Sequence, residues 1–252
     1  MSDVPVAVVT GAARGIGAAA ARKFLSLGYA VAALDVSEAA EGKFYRCDVA
    51  DAAAVDAVAA KVKADLGSPS VLVTSAALIP NTESIMDMDL AAHDRMWRVN
   101  YHGTVHACRS FGRQMADAGR GGSFVTIGSI NSLLPMPLPA YNPGKAAIAR
   151  LTQILAAELG RHHVRVNSVG PTYVMTPELQ ARIDSGQRDL GKIMSVHALD
   201  ALPTPADIAD AIAFLCSPQA RTITGILLPV DSGWTASVSY MTYSGGVPWR
   251  KA

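Results

Sequence analysis

The stretch Val4-Pro5-Val6-Ala7-Val8-Val9-Thr10-Gly11-Ala12-Ala13-Arg14-Gly15-Ile16-Gly17 decides how the rest of the chain is read. Val4 to Val9 is short and Val-rich, with no polar alternation, as in a strand buried on both faces. An Ala-rich run follows to Leu27, with Gly28 placed to cap a helix there. Strand, glycine turn and helix, in that order, are the context a dinucleotide fingerprint requires. Gly11 permits a tight turn. Gly15 lets backbone N–H groups approach a pyrophosphate, flanked by Arg14 and Ile16. Gly17 lets the helix lie close on the sheet, and the helix N-terminus favours the anion. A plain glycine-rich turn has the same composition, so the residues downstream must decide.

Ala30 to Leu34 reads as a second buried strand ending at Asp35. A carboxylate there accepts from an adenosine ribose 2′-hydroxyl and repels a 2′-phosphate, which points to NAD. Arg14 pulls the other way, since a guanidinium can reach a phosphate. Burying a carboxylate against a phosphate costs more than one exposed Arg contact contributes, so Asp35 decides. Val36 to Lys43 is short for a crossover helix and predicts a turn. Phe44 to Arg46 is a third strand, closed by Asp48-Val49. Asp48 is either an acceptor for an adenine amino group or a turn and helix-capping residue.

The pattern then alternates. Asp51 to Leu66 predicts a helix and Val71 to Val73 a strand, followed by Thr74-Ser75-Ala76-Ala77. His93 to Met115 predicts one long helix carrying Asn100 in its middle. Propensity disfavours Asn there, so it needs a partner, for example across helices. Ser123 to Ile127 is a fifth strand leading to Gly128-Ser129, Ala140 to Gly160 a helix, Val164 to Val169 a sixth strand. Pro177 to Leu202 reads as a long, polar, irregular lid or binding segment. Pro205 to Leu215 is a helix and Ile226 to Val230 the last strand. Such alternation predicts an α/β fold: one domain over residues 1–252, a Rossmann-type doubly wound parallel sheet of about seven strands with helices on both faces.

Composition narrows the function classes. Of 252 residues, 50% are hydrophobic and 17% charged, enough to bury a core. A net charge of +1 offers nothing to nucleic acid or an anionic membrane. The three cysteines, Cys47, Cys108 and Cys216, stand far apart and read as packing residues in a reducing compartment. No apolar run reaches membrane length, and residues 1–5 lack a basic leader, which predicts a cytoplasmic protein. The histidines show no zinc-ligand spacing, and Gly128-Ser129-Ile130 lacks a hydrolase nucleophile elbow.

Tyr141 and Lys145 lie four residues apart in the first turn of their helix and share a face. A nearby ammonium favours a phenolate, so Tyr141 is expected to titrate below an ordinary phenol and to act as a general base. Together these motifs resemble the short-chain dehydrogenase/reductase family over roughly Val6 to Gly233. Thr10 to Gly17 resembles its cofactor loop. Asn100, Ser129, Tyr141 and Lys145 fall, in order, where the family places its catalytic tetrad. Pro171 to Thr176, with Val174, resembles its nicotinamide-side loop, and Asp231-Ser232-Gly233 its closing turn. Three departures stand out. Thr74-Ser75-Ala76-Ala77 replaces Asn-Asn-Ala-Gly: Thr74 and Ser75 can still donate and accept, the missing Gly crowds the cofactor ribose, and Ser75 and Ala76 are expected cofactor contacts. Pro171-Thr172 replaces Pro-Gly. The interval from Ser129 to Tyr141 is one residue short, so Ser132 stands as an alternative to Ser129.

The resemblance implies hydride transfer between a secondary alcohol and NAD, with Tyr141 as base, Ser129 on the developing oxyanion, Lys145 on the phenolate and ribose, and Asn100 anchoring a water relay to Lys145. The small-molecule alcohol or ketone is expected to be a polyol, sugar or sugar-acid; an acyl or aromatic ketone, or a silent NAD-sensing role, is the alternative. Leu78, Ile79, Leu133, Leu134, Met136, Leu138 and Met175 are candidate apolar walls, with Asn81, Asn131, Arg182 and Gln187 as polar contacts. Ala146, Ala149, Gln153 and Ala157 would let helices approach closely between subunits, which with the resemblance predicts a homotetramer. The aromatic tail Trp234 to Ala252 either packs across a subunit interface or folds back on its own subunit.

Overall fold

The computed structural model describes residues 4–79 and 82–247; Asn81 and Trp249 lie outside them. Strand β1 (Val6–Thr10) leads through the glycine turn to helix α1 (Gly15–Ser26) and β2 (Ala30–Asp35). No helix intervenes before β3 (Lys43–Arg46), as the short interval requires. Then come α2 (Ala52–Leu66), β4 (Val71–Thr74), α3 (Leu90–Trp97), a π-helical turn (Arg98–His102), α4 (Gly103–Ala118) and β5 (Gly122–Ile127). After a 3₁₀ turn (Ile130–Ser132) follow α5 (Tyr141–Leu159), β6 (Val164–Pro171), α6 (Pro177–Asp184), α7 (Leu190–Met194), α8 (Pro205–Cys216), β7 (Leu227–Val230) and α9 (Trp234–Met241).

All seven strands join one parallel sheet in the order β3-β2-β1-β4-β5-β6-β7. The order reverses between β1 and β4, where a parallel sheet opens its binding crevice. Successive strand residues face opposite sides. Val6, Val8, Leu72 and Phe124 pack against Val55 and Val62 of α2 and Phe111 and Met115 of α4. Ala7, Val9, Val73 and Val125 pack against Phe24 of α1 and Ile208, Ile212 and Leu215 of α8. Two cores, one on each face, hold the carboxyl edge of the sheet rigid. Cys47 and Cys108 are buried and Cys216 partly buried, all three unpaired.

Two expectations are corrected. The expected long helix begins at Leu90, where Asp89 caps Ala91 N–H at 2.8 Å, and one π-helical turn interrupts it at Asn100. The Asn100 side chain does not bridge to another helix: its amide grips the main chain of Leu78. The expected irregular lid contains α6 and α7. Thr176 accepts from Leu179 N–H with Pro177 at the first helical position, and Asp189 accepts from Lys192 N–H. Those are ordinary helix-start signals.

Candidate active site

The loops after β1 to β6 converge on one cleft of about 1020 Å³. Among the sequence-selected residues, Gly11, Arg14, Gly15, Ile16, Asp35, Asp48, Val49, Ser75, Ala76, Ser129, Tyr141, Lys145, Pro171, Val174 and Thr176 all line it. Gly17 and Asn100 stand behind its wall. Of the candidate substrate contacts, Leu78, Ile79, Met136, Leu138, Asn131 and Arg182 line the cleft; Leu133, Leu134, Met175 and Gln187 do not. Thr172 and Tyr173 of the Pro171–Thr176 loop line it as well; sequence reasoning missed Arg95 and Arg98 and, within residues 177–202, Arg188. No local pattern marks them; tertiary placement alone brings them there.

One end of the cleft is a glycine cradle. A Cβ on Gly11 would sit 2.6 Å from the Ala76 main chain, and one on Gly17 would sit 2.0 Å from Gly11 O. Neither can carry a side chain in this packing. Gly15, at φ +57, faces open space apart from Thr176 Cγ2. No side chain caps the α1 N-terminus and no acidic residue occupies its first turn. Its first N–H groups and dipole therefore face the cleft without an anion of the protein's own, which fits a pyrophosphate. Thr10 Oγ1 accepts from Ser75 N–H and Ala76 N–H at 3.1 and 3.2 Å, fastening β1 to the Thr74–Ala77 loop. Asp35 accepts from Ala13 N–H and Ser37 N–H, both at 3.0 Å, so its carboxylate is held at the cleft wall. Asp48 accepts from Ala50 N–H at 3.0 Å, a turn role, while also lining the cleft.

The other end gathers Ser129, Tyr141 and Lys145. Ser129 is buried at the tip of β5, and its hydroxyl hydrogen-bonds the Tyr141 phenol. It accepts from Asn131 N–H at 3.1 Å and from Asn131 Nδ2 at 3.0 Å. Ser132 turns away and donates to Lys145 O at 2.8 Å, locking the 3₁₀ turn onto α5. Lys145 is 3% exposed, and its Nζ donates to Ile127 O at 2.6 Å, 5.3 Å from the Tyr141 ring centre.

The phenol departs from the expectation. Burial pushes the Tyr141 pKa up to about 12, with Ser129 pulling partly the other way. Burial also pulls Lys145 down to about 8. In the chain by itself, desolvation is the largest cause at both groups. Asn100 lies outside this contact set. Its Oδ1 accepts from Leu78 N–H at 2.7 Å and its Nδ2 donates to Leu78 O at 3.1 Å, fixing the cleft wall. Thr104 Oγ1 donates to Asn100 O at 2.8 Å beside the π-helical turn. Among the described residues, no group of three or more His, Cys, Asp or Glu could hold a metal.

A family profile described as enoyl-(acyl carrier protein) reductase matches residues 11–235. The chain belongs to the short-chain dehydrogenase/reductase family. It is 35% identical to galactitol 2-dehydrogenase of Rhizobium johnstonii, covering 91% of this chain and 94% of that protein. It is likewise 35% identical to D-threitol dehydrogenase of Mycolicibacterium smegmatis, covering 92% and 94%. A Brucella melitensis 16M structure described as ribose-5-phosphate isomerase superposes with a TM-score of 0.91 at 36% identity, covering 99% and 98%. ElxO with NADP bound superposes with a TM-score of 0.86 at 28% identity, covering 92% and 99%. Membership makes the chain an oxidoreductase of CH–OH groups with a nicotinamide cofactor. No helix among the described residues is long and apolar enough to cross a membrane.

Proposed function

We propose that the chain is an NAD-dependent dehydrogenase of a secondary alcohol, with a polyol, sugar or sugar-acid as substrate. One observation carries the reading: the anion-ready glycine cradle and Asp35 share a single cleft with the Ser129, Tyr141 and Lys145 cluster. The two polyol dehydrogenases among its relatives support the substrate class.

Gly11 to Gly17 would hold the pyrophosphate of the cofactor and Asp35 its adenosine ribose, with Asp48 and Val49 toward the adenine and Ser75, Ala76, Pro171, Val174 and Thr176 along the remainder. Bound there, the nicotinamide supplies the hydride acceptor for oxidation or the donor for reduction. Tyr141 takes the proton of the substrate hydroxyl, or returns it in reduction. Ser129 donates to the substrate oxygen as negative charge develops there. Lys145 holds the phenolate by its charge and, with the cofactor bound, would help hold its nicotinamide ribose. Asn100 fixes Leu78 and anchors the relay by which the Tyr141 proton leaves past Lys145. Residues 177–202 act as a lid over the substrate.

The protein is proposed to be cytoplasmic and homotetrameric. Ala146, Gln153 and Ala157 leave an exposed, low-relief stripe on α5, beside Ile154 at 54% exposure. Purified protein offered NAD or NADP with a panel of polyols and simple secondary alcohols tests the reading by the absorbance of reduced nicotinamide. No turnover of any alcohol with either cofactor refutes the enzyme reading, and preference for NADP refutes the assignment of Asp35.

A further inference from the structure

A serine hydroxyl has one proton to give and two lone pairs to fill. At Ser129 both lone pairs are filled by one neighbour. The main-chain N–H and side-chain Nδ2 of Asn131 donate to Oγ at 3.1 and 3.0 Å. Only the O–H is left to make a bond. Its main-chain acceptor, Pro171 O, lies 3.5 Å away. That is long for an O–H···O bond, so the proton faces the Tyr141 phenol and can pass to a substrate oxygen placed beside it.

This polarity depends on which way the Asn131 amide faces, and the structure fixes it from a fixed point. Asn142 Nδ2 lies 2.9 Å from Leu134 O. A main-chain carbonyl only accepts, so the nitrogen of Asn142 must face it. The same nitrogen lies 3.0 Å from the Asn131 side chain, which must therefore present its oxygen, Oδ1. Asn131 is left with Nδ2 toward Ser129. The sense of every bond from Leu134 O to Ser129 is thus determined, and Asn142 stands directly after Tyr141 in the first turn of α5.

We propose that Asn131 and Asn142 are positioning residues that hold the Ser129 hydroxyl as an obligate donor to the reacting oxygen of the substrate. The proposal rests on the reading of Ser129 given above. A serine free to rotate would accept from the substrate hydroxyl in the ground state and would have to turn over as charge develops. A serine locked as donor needs no such reorganisation and favours the charged oxygen over the neutral hydroxyl.

Reversing the polarity and merely removing a donor have different consequences, and that difference is the test. Asn131→Asp puts an acceptor where Nδ2 stood, so the Ser129 proton turns onto it; kcat should fall roughly 10²-fold. Asn131→Ala removes two neutral side-chain bonds, only one of them to Ser129, and should cost only about threefold to tenfold in kcat. Asn142→Asp, which never touches Ser129, should resemble Asn131→Asp by forcing the Asn131 amide to flip. KM for the cofactor should stay within about twofold and melting within a few degrees in each variant. In a Ser129→Ala background, Asn131→Asp should cost nothing further. Equal losses for Ala and Asp at 131, or an undiminished Asp effect in the Ser129→Ala background, would show that the network only packs the loop. If Ser129→Ala by itself leaves kcat intact, the role of Ser129 falls first and the relay with it.

Discussion

Tyr141→Phe separates the chemistry of the phenol from its packing. The ring and its place in the first turn of α5 remain, and the oxygen that moves the proton is gone. Loss of a positioned general base costs roughly 10²–10⁴-fold in kcat, equivalent to about 2.7–5.4 kcal/mol of barrier. Stability should hardly change. The one side-chain hydrogen bond lost is to Ser129, which keeps its bonds to Asn131, so the cost is about 1 kcal/mol at most, or about 2–4 °C in Tm for a chain of this size. The pH dependence follows from the same residue. With its pKa pushed up to about 12, Tyr141 is protonated at neutral pH, the form needed for reduction and the wrong one for oxidation. Oxidation should therefore climb with pH across the neutral and mildly alkaline range. Reduction should stay level until Lys145, pulled down to about 8, begins to lose its charge. Initial rates in both directions, with cofactor affinity measured separately by fluorescence, check each part. Near-wild-type turnover by Tyr141→Phe, or an oxidation rate that is flat with pH, would refute the assignment of the base.

Asp35→Ala should narrow the preference for NAD over NADP by about tenfold or more, a change of about 1.4 kcal/mol; kinetics with both cofactors in wild type and variant decide it. Ser129→Ala should be far more damaging to kcat than Ser132→Ala, because the Ser132 hydroxyl is bonded to Lys145 O; the reverse order would exchange their roles. Burial raises the thiols of Cys47 to about 11 and of Cys108 and Cys216 to about 12. A folded pKa above the unfolded one gives stability that is full below about 9 and lost as pH rises toward 11–12, at up to about 1.4 kcal/mol per pH unit for each thiol. Cys108→Ala should flatten that decline in alkaline denaturation curves, although the cavity lowers stability throughout. Deleting residues 243–252 should weaken assembly or raise KM; an intact tetramer with unchanged KM would remove the tail from both roles. The cut belongs there and not after Gly233, since Trp234 is 5% exposed and Ser237 Oγ bonds Val196 O.

The fold was legible because its strands are buried on both faces. Val6 to Val9, Ala30 to Leu34 and Val71 to Val73 are uninterrupted apolar runs, and each strand ends on the first polar residue that follows, Thr10, Asp35 or Thr74. Helix interruption was not legible. The π-helical turn at Asn100 adds one residue to a helix whose periodicity on either side is unbroken, and what accompanies it is a main-chain partner, Leu78, in a different segment. The helices at Pro177–Asp184 and Leu190–Met194 were passed over for a different reason. Their caps, Thr176 and Asp189, were visible, but each helix buries little apolar surface, with Leu179 and Ile193 its buried residues. Periodicity detects a buried stripe, and these helices have almost none.

At the site, spacing told which side chains meet and not what surrounds them. The i,i+4 relation does bring Lys145 to the Tyr141 face, at 5.3 Å from the ring centre. From that proximity alone the phenol should titrate low. The outcome depends on two quantities that no local pattern carries. One is the Ile127 carbonyl, which takes the Lys145 ammonium at 2.6 Å and draws it toward β5. The other is desolvation, deep for Lys145 and partial for Tyr141 in the cleft wall, which opposes charge on each and moves the acid up and the base down. A pair read as mutually activating is, in the chain by itself, a neutral phenol beside an amine that gives up its proton easily. Activation must then come from what enters the cleft: a cationic nicotinamide, once bound beside the phenol, would oppose burial beyond the pull that Ser129 already exerts. In this reading the oxidation direction, which needs the phenolate, gains most from cofactor binding, while the protonated phenol already suits reduction.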